Sequence, residues 1–107
     1  TATEIRKIVK AMAALLTENN VPVEKMILYG SYANGMPRAY SDIDVAVISP
    51  AFRGKKLIET QAELAKILAK YLAMVEPVGY SPDAFRTAET ETMLGEIKRT
   101  GKVLFAA

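Results

Sequence analysis

Two short apolar runs, separated by a polar stretch, constrain the fold of this chain more than any other feature. The runs are 26–29 and 43–48, and each has the length and composition of a buried strand. Gly30-Ser31 closes the first run abruptly, and Ser49-Pro50 ends the second. The stretch between them contains glycine and proline, so it has room for at most one turn of helix followed by a loop. This pattern predicts a sheet with a tight connection at the end of its first strand.

Segments with helical periodicity lie on both sides of these runs. Apolar residues recur at spacings of three and four within 5–16 and again within 57–71, which predicts two amphipathic helices. Ser81 followed by Pro82 predicts a helix start, because serine caps a helix and proline suits its first turn. The pattern predicts a last helix over roughly 89–100.

The remaining segments complete the expected order of elements. A third strand is expected over 73–76, where Pro77 marks either an edge position or the strand's end, because proline cannot donate a ladder hydrogen bond. Residues 103–105 are expected to add a short strand or to pack as a tail. The order helix, strand, strand, helix, strand, helix is typical of an α+β or α/β fold, with a small mixed sheet flanked by helices.

Composition limits the size of the molecule and excludes several kinds of chemistry. With 107 residues in the chain, we expect residues 1–107 to form one domain. Cysteine and histidine are both absent, which excludes disulfides, thiolate nucleophiles, imidazole bases and zinc sites built on them. The net charge of +2 is too weak to indicate nucleic-acid binding by bulk electrostatics. No run suits a membrane span or a signal peptide, so a cytoplasmic location is expected.

The residues that carry chemistry lie where the first strand ends and the second begins. Gly30 and Ser31 follow the first strand, where free backbone N–H groups and a hydroxyl suit a phosphate. Asp42 and Asp44 are two residues apart, so both carboxylates point to the same face of the second strand. Two carboxylates this close repel each other unless a cation binds them, and magnesium prefers such oxygen ligands. Together they predict a site for a nucleoside triphosphate and Mg²⁺.

The stretch from residue 30 to residue 44 also resembles a known signature. A Gly-Ser pair, an alanine and a second glycine are followed, after a short loop, by Ser-Asp-Ile-Asp. This is similar to the minimal nucleotidyltransferases of the DNA-polymerase-β superfamily, small proteins often encoded beside a helical HEPN partner. The residues that match are Gly30, Ser31, Ala33, Gly35, Ser41, Asp42, Ile43 and Asp44.

The resemblance implies a polymerase-β-like nucleotidyltransferase fold with a specific set of site residues. Gly30, Ser31, Asp42 and Asp44 would bind the nucleotide, and both aspartates would bind Mg²⁺. In this superfamily a third carboxylate on the next strand completes the metal site and serves as the base, and Glu76 is the candidate here. The resemblance further implies transfer of AMP from ATP onto a HEPN-type partner protein, with this chain acting as the antitoxin of a toxin–antitoxin pair.

Other interpretations of these residues stay open at this point. Glu76 is also explained as a charge that protects an edge strand from aggregation. The family more often has aspartate at the position of Glu76. It often has arginine at the position of Asn34, and Arg38 or a partner residue would then take the role of that arginine. These differences leave open an alternative in which the chain binds nucleotide, or neutralises its partner by contact, without catalysis. We expect a partner protein or a second copy of the chain to supply the surface that binds the acceptor.

Overall fold

The computed structural model describes residues 2–33, 35 and 42–107, and in these residues the chain forms four α-helices and four strands. Short 3₁₀ turns precede and follow the second helix. None of the described helices combines the length and the apolar character that crossing a membrane requires. In chain order the elements are α1 (Ala2–Glu18), β1 (Lys25–Tyr29), β2 (Ile43–Ile48), α2 (Leu57–Ile67), β3 (Val75–Tyr80), α3 (Pro82–Arg86), α4 (Met93–Thr100) and β4 (Lys102–Ala106).

The strands of the described residues form one mixed sheet in the order β3-β2-β1-β4. β1 is antiparallel to both β2 and β4, whereas β2 and β3 are parallel. The parallel pair is connected through α2, because parallel neighbours need a crossover rather than a tight turn. This topology brings the end of β1 beside the starts of β2 and β3. It leaves β3 and β4 as the edges of the sheet.

Alternating side chains give the sheet two buried faces. On one face, Val45 of β2 belongs to the larger core cluster, together with Met12 of α1 and Leu64 of α2. On the other face, Ala46 packs in a smaller cluster with Ile97 of α4. Each fully buried aliphatic side chain contributes roughly 1.5–3 kcal/mol relative to an exposed one. The two clusters therefore hold α1 and α2 on one side of the sheet and α4 on the other.

The extent of the third strand was predicted wrongly. It was expected over 73–76, but β3 begins at Val75 and runs through Pro77 to Tyr80. Of the two interpretations of Pro77, the edge position is confirmed and the strand's end is wrong. An edge strand tolerates proline because one side of its backbone has no ladder partner.

The helices agree with the prediction except in the last third of the chain. Ser81 caps α3 as expected, and its hydroxyl accepts the backbone N–H three residues later at 3.1 Å. The helix expected over 89–100 is shorter and begins at Met93, because Thr92 caps it in the same way at 3.0 Å. For residues 103–105 the strand is confirmed, since they lie in β4.

Candidate active site

The register of the sheet places Asp44 between Tyr29 and Glu76. Tyr29 of β1 pairs with Asp44 of β2, and Asp44 pairs with Glu76 of β3. Side chains of directly paired residues point to the same face. That face carries α4, because Asp44 alternates with Val45, which is buried in the larger cluster on the opposite face. Asp42 lies just before β2, close enough for its charge to act on Asp44.

The three carboxylates have no compensating cation within the described residues. The side chains of Asp42, Asp44 and Glu76 take part in no ion pair and no hydrogen bond there. Burial raises the pKa of Asp44 above its usual range, and the negative charges of Glu76 and Asp42 raise it further. Negative charge thus accumulates at this end of the sheet, and a bound cation would relieve the repulsion.

The half-buried phenol of Tyr29 lies beside the row of acids formed by Asp42, Asp44 and Glu76. Burial raises the pKa of Tyr29 above its usual range, and the charge of Asp44 and, more weakly, that of Glu76 add to the effect. The phenol is therefore protonated at neutral pH and able to donate a hydrogen bond to a nearby oxygen. From the sequence, Tyr29 was assigned only to a buried strand. Its place beside the acids was missed, because the pairing with Asp44 depends on the register of the sheet.

Gly30 leaves the space that the Asp44 carboxylate occupies. Its φ is +76°, in the left-handed region that favours glycine. A Cβ at this position would overlap the Asp44 carboxylate and would lie 3.2 Å from its carboxyl carbon. From the sequence, Gly30 was expected to let a phosphate approach the backbone. The nearby Asp44 carboxylate is a second reason for glycine at this position. The turn after β1 and the carboxylate site are in direct contact.

The turn after β1 presents backbone donors that have no partner among the described residues. The N–H groups of Ser31, Tyr32 and Ala33 donate no hydrogen bond to any described residue. The turn is closed by Gly35, whose N–H donates to the Tyr32 carbonyl at 3.4 Å. Successive free N–H groups in a turn form a concave site for an anion, and the Ser31 hydroxyl is a further donor. The arrangement suits the oxygens of a phosphate.

One cavity lies beside Asp42 and Glu76 at the β3 edge, and a second lies beside Tyr29 and Gly30 near α4. The first has a volume of about 240 Å³ and is lined by residues that include Asp42, Gln61, Leu72 and Glu76. The second has a volume of about 260 Å³ and is lined by Tyr29, Gly30, Met93, Glu96, Ile97 and Thr100. Space for small groups is therefore present beside Asp42 and Glu76 and beside the turn after β1.

The donor set fits magnesium. This ion is usually held by one or two carboxylates, and water and substrate phosphates fill its other positions. Within residues 2–33, 35 and 42–107, no group of three or more acidic side chains is arranged to hold a metal ion. Asp42 and Asp44 are the carboxylates that would hold such an ion together with the oxygens of a triphosphate.

The predicted site residues all lie at one end of the sheet. Gly30 and Ser31 follow β1, Asp42 and Asp44 lie at the start of β2, and Glu76 lies near the start of β3. Their roles in binding and catalysis stay predictions. Three other residues named in the sequence analysis, Asn34, Arg38 and Ser41, lie outside the described residues.

The sequence of the chain matches one protein family. The sequence model of that family, described as a nucleotidyltransferase domain, matches residues 4–96. The chain therefore belongs to the nucleotidyltransferase domain family. No protein of curated function matches the chain at a significant level.

Solved structures support the same assignment. A toxin–antitoxin crystal structure with AMP-PNP is 32% identical, with a TM-score of 0.57, over 94% of this chain and 72% of the other. A mutant of the toxin–antitoxin MntA-HpeT is 29% identical, with a TM-score of 0.55, over 94% and 71%. A candidate nucleotidyltransferase from Sulfolobus solfataricus is 12% identical, with a TM-score of 0.66, over 97% and 82%, which supports the fold alone. The predicted nucleotidyltransferase fold is confirmed.

Proposed function

We propose that this chain is a magnesium-dependent nucleotidyltransferase that transfers AMP from ATP to a partner protein. The observation that supports this most is the contact between Gly30, in the turn with free N–H groups, and the carboxylate of Asp44. Asp44 lies in a row of acids that has no cation partner among the described residues. Donors for a triphosphate and oxygen ligands for a metal are thus adjacent, as transfer from a nucleoside triphosphate requires.

The mechanism follows from this arrangement. The N–H groups of residues 31–33 and the Ser31 hydroxyl donate to the triphosphate oxygens. Asp42 and Asp44 would hold Mg²⁺, which when bound neutralises phosphate charge and lowers the pKa of an acceptor hydroxyl. Glu76 would complete the metal site as a third ligand, and its carboxylate takes the proton from that hydroxyl. The acceptor oxygen then bonds to the α-phosphorus, the bond from the α-phosphorus to the bridging oxygen breaks, and pyrophosphate leaves.

The similar structures support the choice of donor and acceptor. One of them is described with AMP-PNP, an ATP analogue, and two are described as toxin–antitoxin structures. We infer that this chain is the antitoxin of such a pair and that its acceptor is a toxin of the HEPN type, as the signature of residues 30–44 implies. The partner then supplies the surface that presents the acceptor hydroxyl. The cytoplasmic location expected from the sequence stays a prediction.

The proposal is tested with labelled ATP, Mg²⁺ and the protein encoded next to this one. We expect the label of the α-phosphate to become covalently attached to the partner. Asp44→Asn is expected to abolish labelling, because it removes a metal ligand. The matched control is Asp83→Asn, the same chemical change at a carboxylate that pairs with Arg53 at 3.0 Å and Arg86 at 2.7 Å instead of facing the acids. That variant is expected to label the partner normally.

The same experiment separates catalysis from binding alone. Labelling that survives in Asp44→Asn would contradict the proposed metal site. Tight binding of the partner without any labelling by the unaltered chain would favour the alternative function, a binding module that neutralises its partner by contact. Full activity of Glu76→Gln would show that Glu76 is a structural edge charge rather than the base.

A further inference from the structure

Gln61 of α2 reaches the open edge of β3 with its side-chain amide. Its Nε2 donates to the carbonyl of Pro77 at 2.9 Å, and its Oε1 accepts the N–H of Gly79 at 3.2 Å. Both partners are backbone groups of an edge strand. A single side chain therefore occupies a donor and an acceptor that would otherwise be open to a further strand.

The position of these two hydrogen bonds relates Gln61 to the acids. Pro77 directly follows Glu76 in β3, and Glu76 pairs with Asp44 on the adjacent strand β2. Because proline has no N–H, its carbonyl is the backbone group of Pro77 that can form a hydrogen bond on the outer side of β3. Gln61 also lines the same cavity as Glu76 and Asp42. The segment that carries Glu76 is thus held by β2 on one side and by Gln61 on the other.

We propose that Gln61 is a positioning residue that keeps Glu76 beside Asp44 and Asp42 by holding β3 at Pro77 and Gly79. This inference rests on the proposed function, because it assigns cation binding to the acids. Glu76 is exposed and makes no hydrogen bond or ion pair among the described residues. Its location therefore depends on its backbone, which β2 holds on one side and the Gln61 amide holds on the other.

The inference is tested by Mn²⁺ binding in the presence of AMP-PNP, measured from the electron paramagnetic resonance signal of free Mn²⁺. Gln61→Met keeps the length of the side chain and removes both hydrogen bonds. We expect it to weaken Mn²⁺ binding about tenfold, the lower end of what loss of a ligand-supporting contact costs. Gln61→Asn is expected to have the same effect, since its shorter amide cannot reach both groups, and it serves if the methionine variant does not fold.

A control and a double variant separate positioning from general stability. Thr60→Val removes the bond from the buried Thr60 hydroxyl to the Leu57 carbonyl in the same helix, without touching β3. It is expected to lower the melting temperature and to leave Mn²⁺ affinity unchanged. In a Glu76→Gln background, Gln61→Met is expected to cause no further loss, because its effect passes through Glu76. Equal losses in both backgrounds would overturn the inference.

Amide hydrogen exchange gives a readout that does not depend on the metal. The N–H of Gly79 is expected to exchange faster in Gln61→Met than in the unaltered chain, whereas in Thr60→Val it should not. Unchanged protection of Gly79 would overturn the inference. If the unaltered chain fails to bind Mn²⁺ with AMP-PNP, the proposed function fails. If it binds and Gln61→Met binds equally well, only the role of Gln61 fails.

Discussion

Replacement of Asp44 by asparagine is expected to stabilise the metal-free chain while it destroys the proposed site. Asp44 makes no hydrogen bond or ion pair with the described residues, so the substitution removes no favourable contact there. It does remove a charge whose pKa is raised by burial and by repulsion from Glu76 and Asp42. Asparagine has nearly the same shape and keeps the contact with Gly30.

The size of the effect follows from the register of the sheet. Asp44 and Glu76 are paired on neighbouring strands, which lie about 4.8 Å apart. Two unit charges about 6 Å apart, at an effective dielectric constant of about 40, repel by roughly 1.4 kcal/mol. Screening by about 0.1 M salt lowers this to about 1 kcal/mol. A change of about 1 kcal/mol shifts the melting temperature of a domain of about 100 residues by roughly 4 to 8 °C.

The assay is thermal unfolding with a chelator present, compared across pH and salt. Because the pKa of Asp44 is raised in the folded chain, folding binds protons, and stability falls as pH rises from the unfolded pKa to the folded pKa. The advantage of Asp44→Asn should therefore be full at neutral pH and vanish below about pH 4, near the unfolded pKa. It should also shrink in about 1 M salt, where charges are screened within about 3 Å.

Asp83→Asn is the matched control for this experiment. The hydrogen bonds from Arg86 and Arg53 hold the pKa of Asp83 below its usual range, so its charge is favourable rather than repelled. Its removal is expected not to raise the melting temperature. A lower melting temperature for Asp44→Asn at neutral pH and low salt would refute the reasoning, as would an increase of the same size in Asp83→Asn.

Three further results are expected. Gly30→Ala should lower the melting temperature more than Gly54→Ala in thermal melts. Both glycines have positive φ (+76° and +71°), which costs either variant about 1 kcal/mol. Only the Cβ added at Gly30 meets another group, the Asp44 carboxylate. Glu76→Gln should lower turnover on the partner about 100-fold in steady-state kinetics. Affinity for Mn²⁺ with AMP-PNP should begin to fall at a higher pH than for an ordinary aspartate site, because protons compete for a carboxylate of raised pKa; calorimetry across pH measures this.

Each of these results has a contradictory outcome. Equal stability of Gly30→Ala and Gly54→Ala would show that the contact with Asp44 has no energetic weight. Unchanged turnover in Glu76→Gln would show that Glu76 does not take the acceptor proton. Mn²⁺ affinity that is constant down to the ordinary range of aspartate would show that Asp44 does not bind the ion.

Local patterns were sufficient to predict the parts of the site that lie close together in sequence. Gly30 and Ser31 were placed at the end of a strand because an apolar run stops there. Asp42 and Asp44 were placed together because strand residues two apart share a face. Glu76 was selected because the family resemblance implies a third carboxylate on the next strand, and in the structure it pairs with Asp44.

The rest of the arrangement depends on contacts between residues distant in sequence. Strands β2 and β3 are separated in sequence by α2, and their register depends on pairing between distant residues. Neither the pairing of Tyr29, Asp44 and Glu76 nor the passage of β3 through Pro77 therefore follows from local periodicity. Gln61 looks like an ordinary polar residue of an amphipathic helix, and only the position of β3 reveals its two bonds. The start of α4 was missed because the capping threonine, Thr92, lies inside the predicted helix.

Position-specific labelling of ATP tests the proposed transfer of AMP by this chain most directly. The chain, Mg²⁺ and the neighbouring protein are incubated with ATP labelled at the α-phosphate or, separately, at the γ-phosphate. We predict that the α-label becomes covalently bound to the neighbouring protein and that the γ-label appears only in pyrophosphate. Covalent γ-label, or neither label on the protein despite a stable complex, would contradict nucleotidyl transfer.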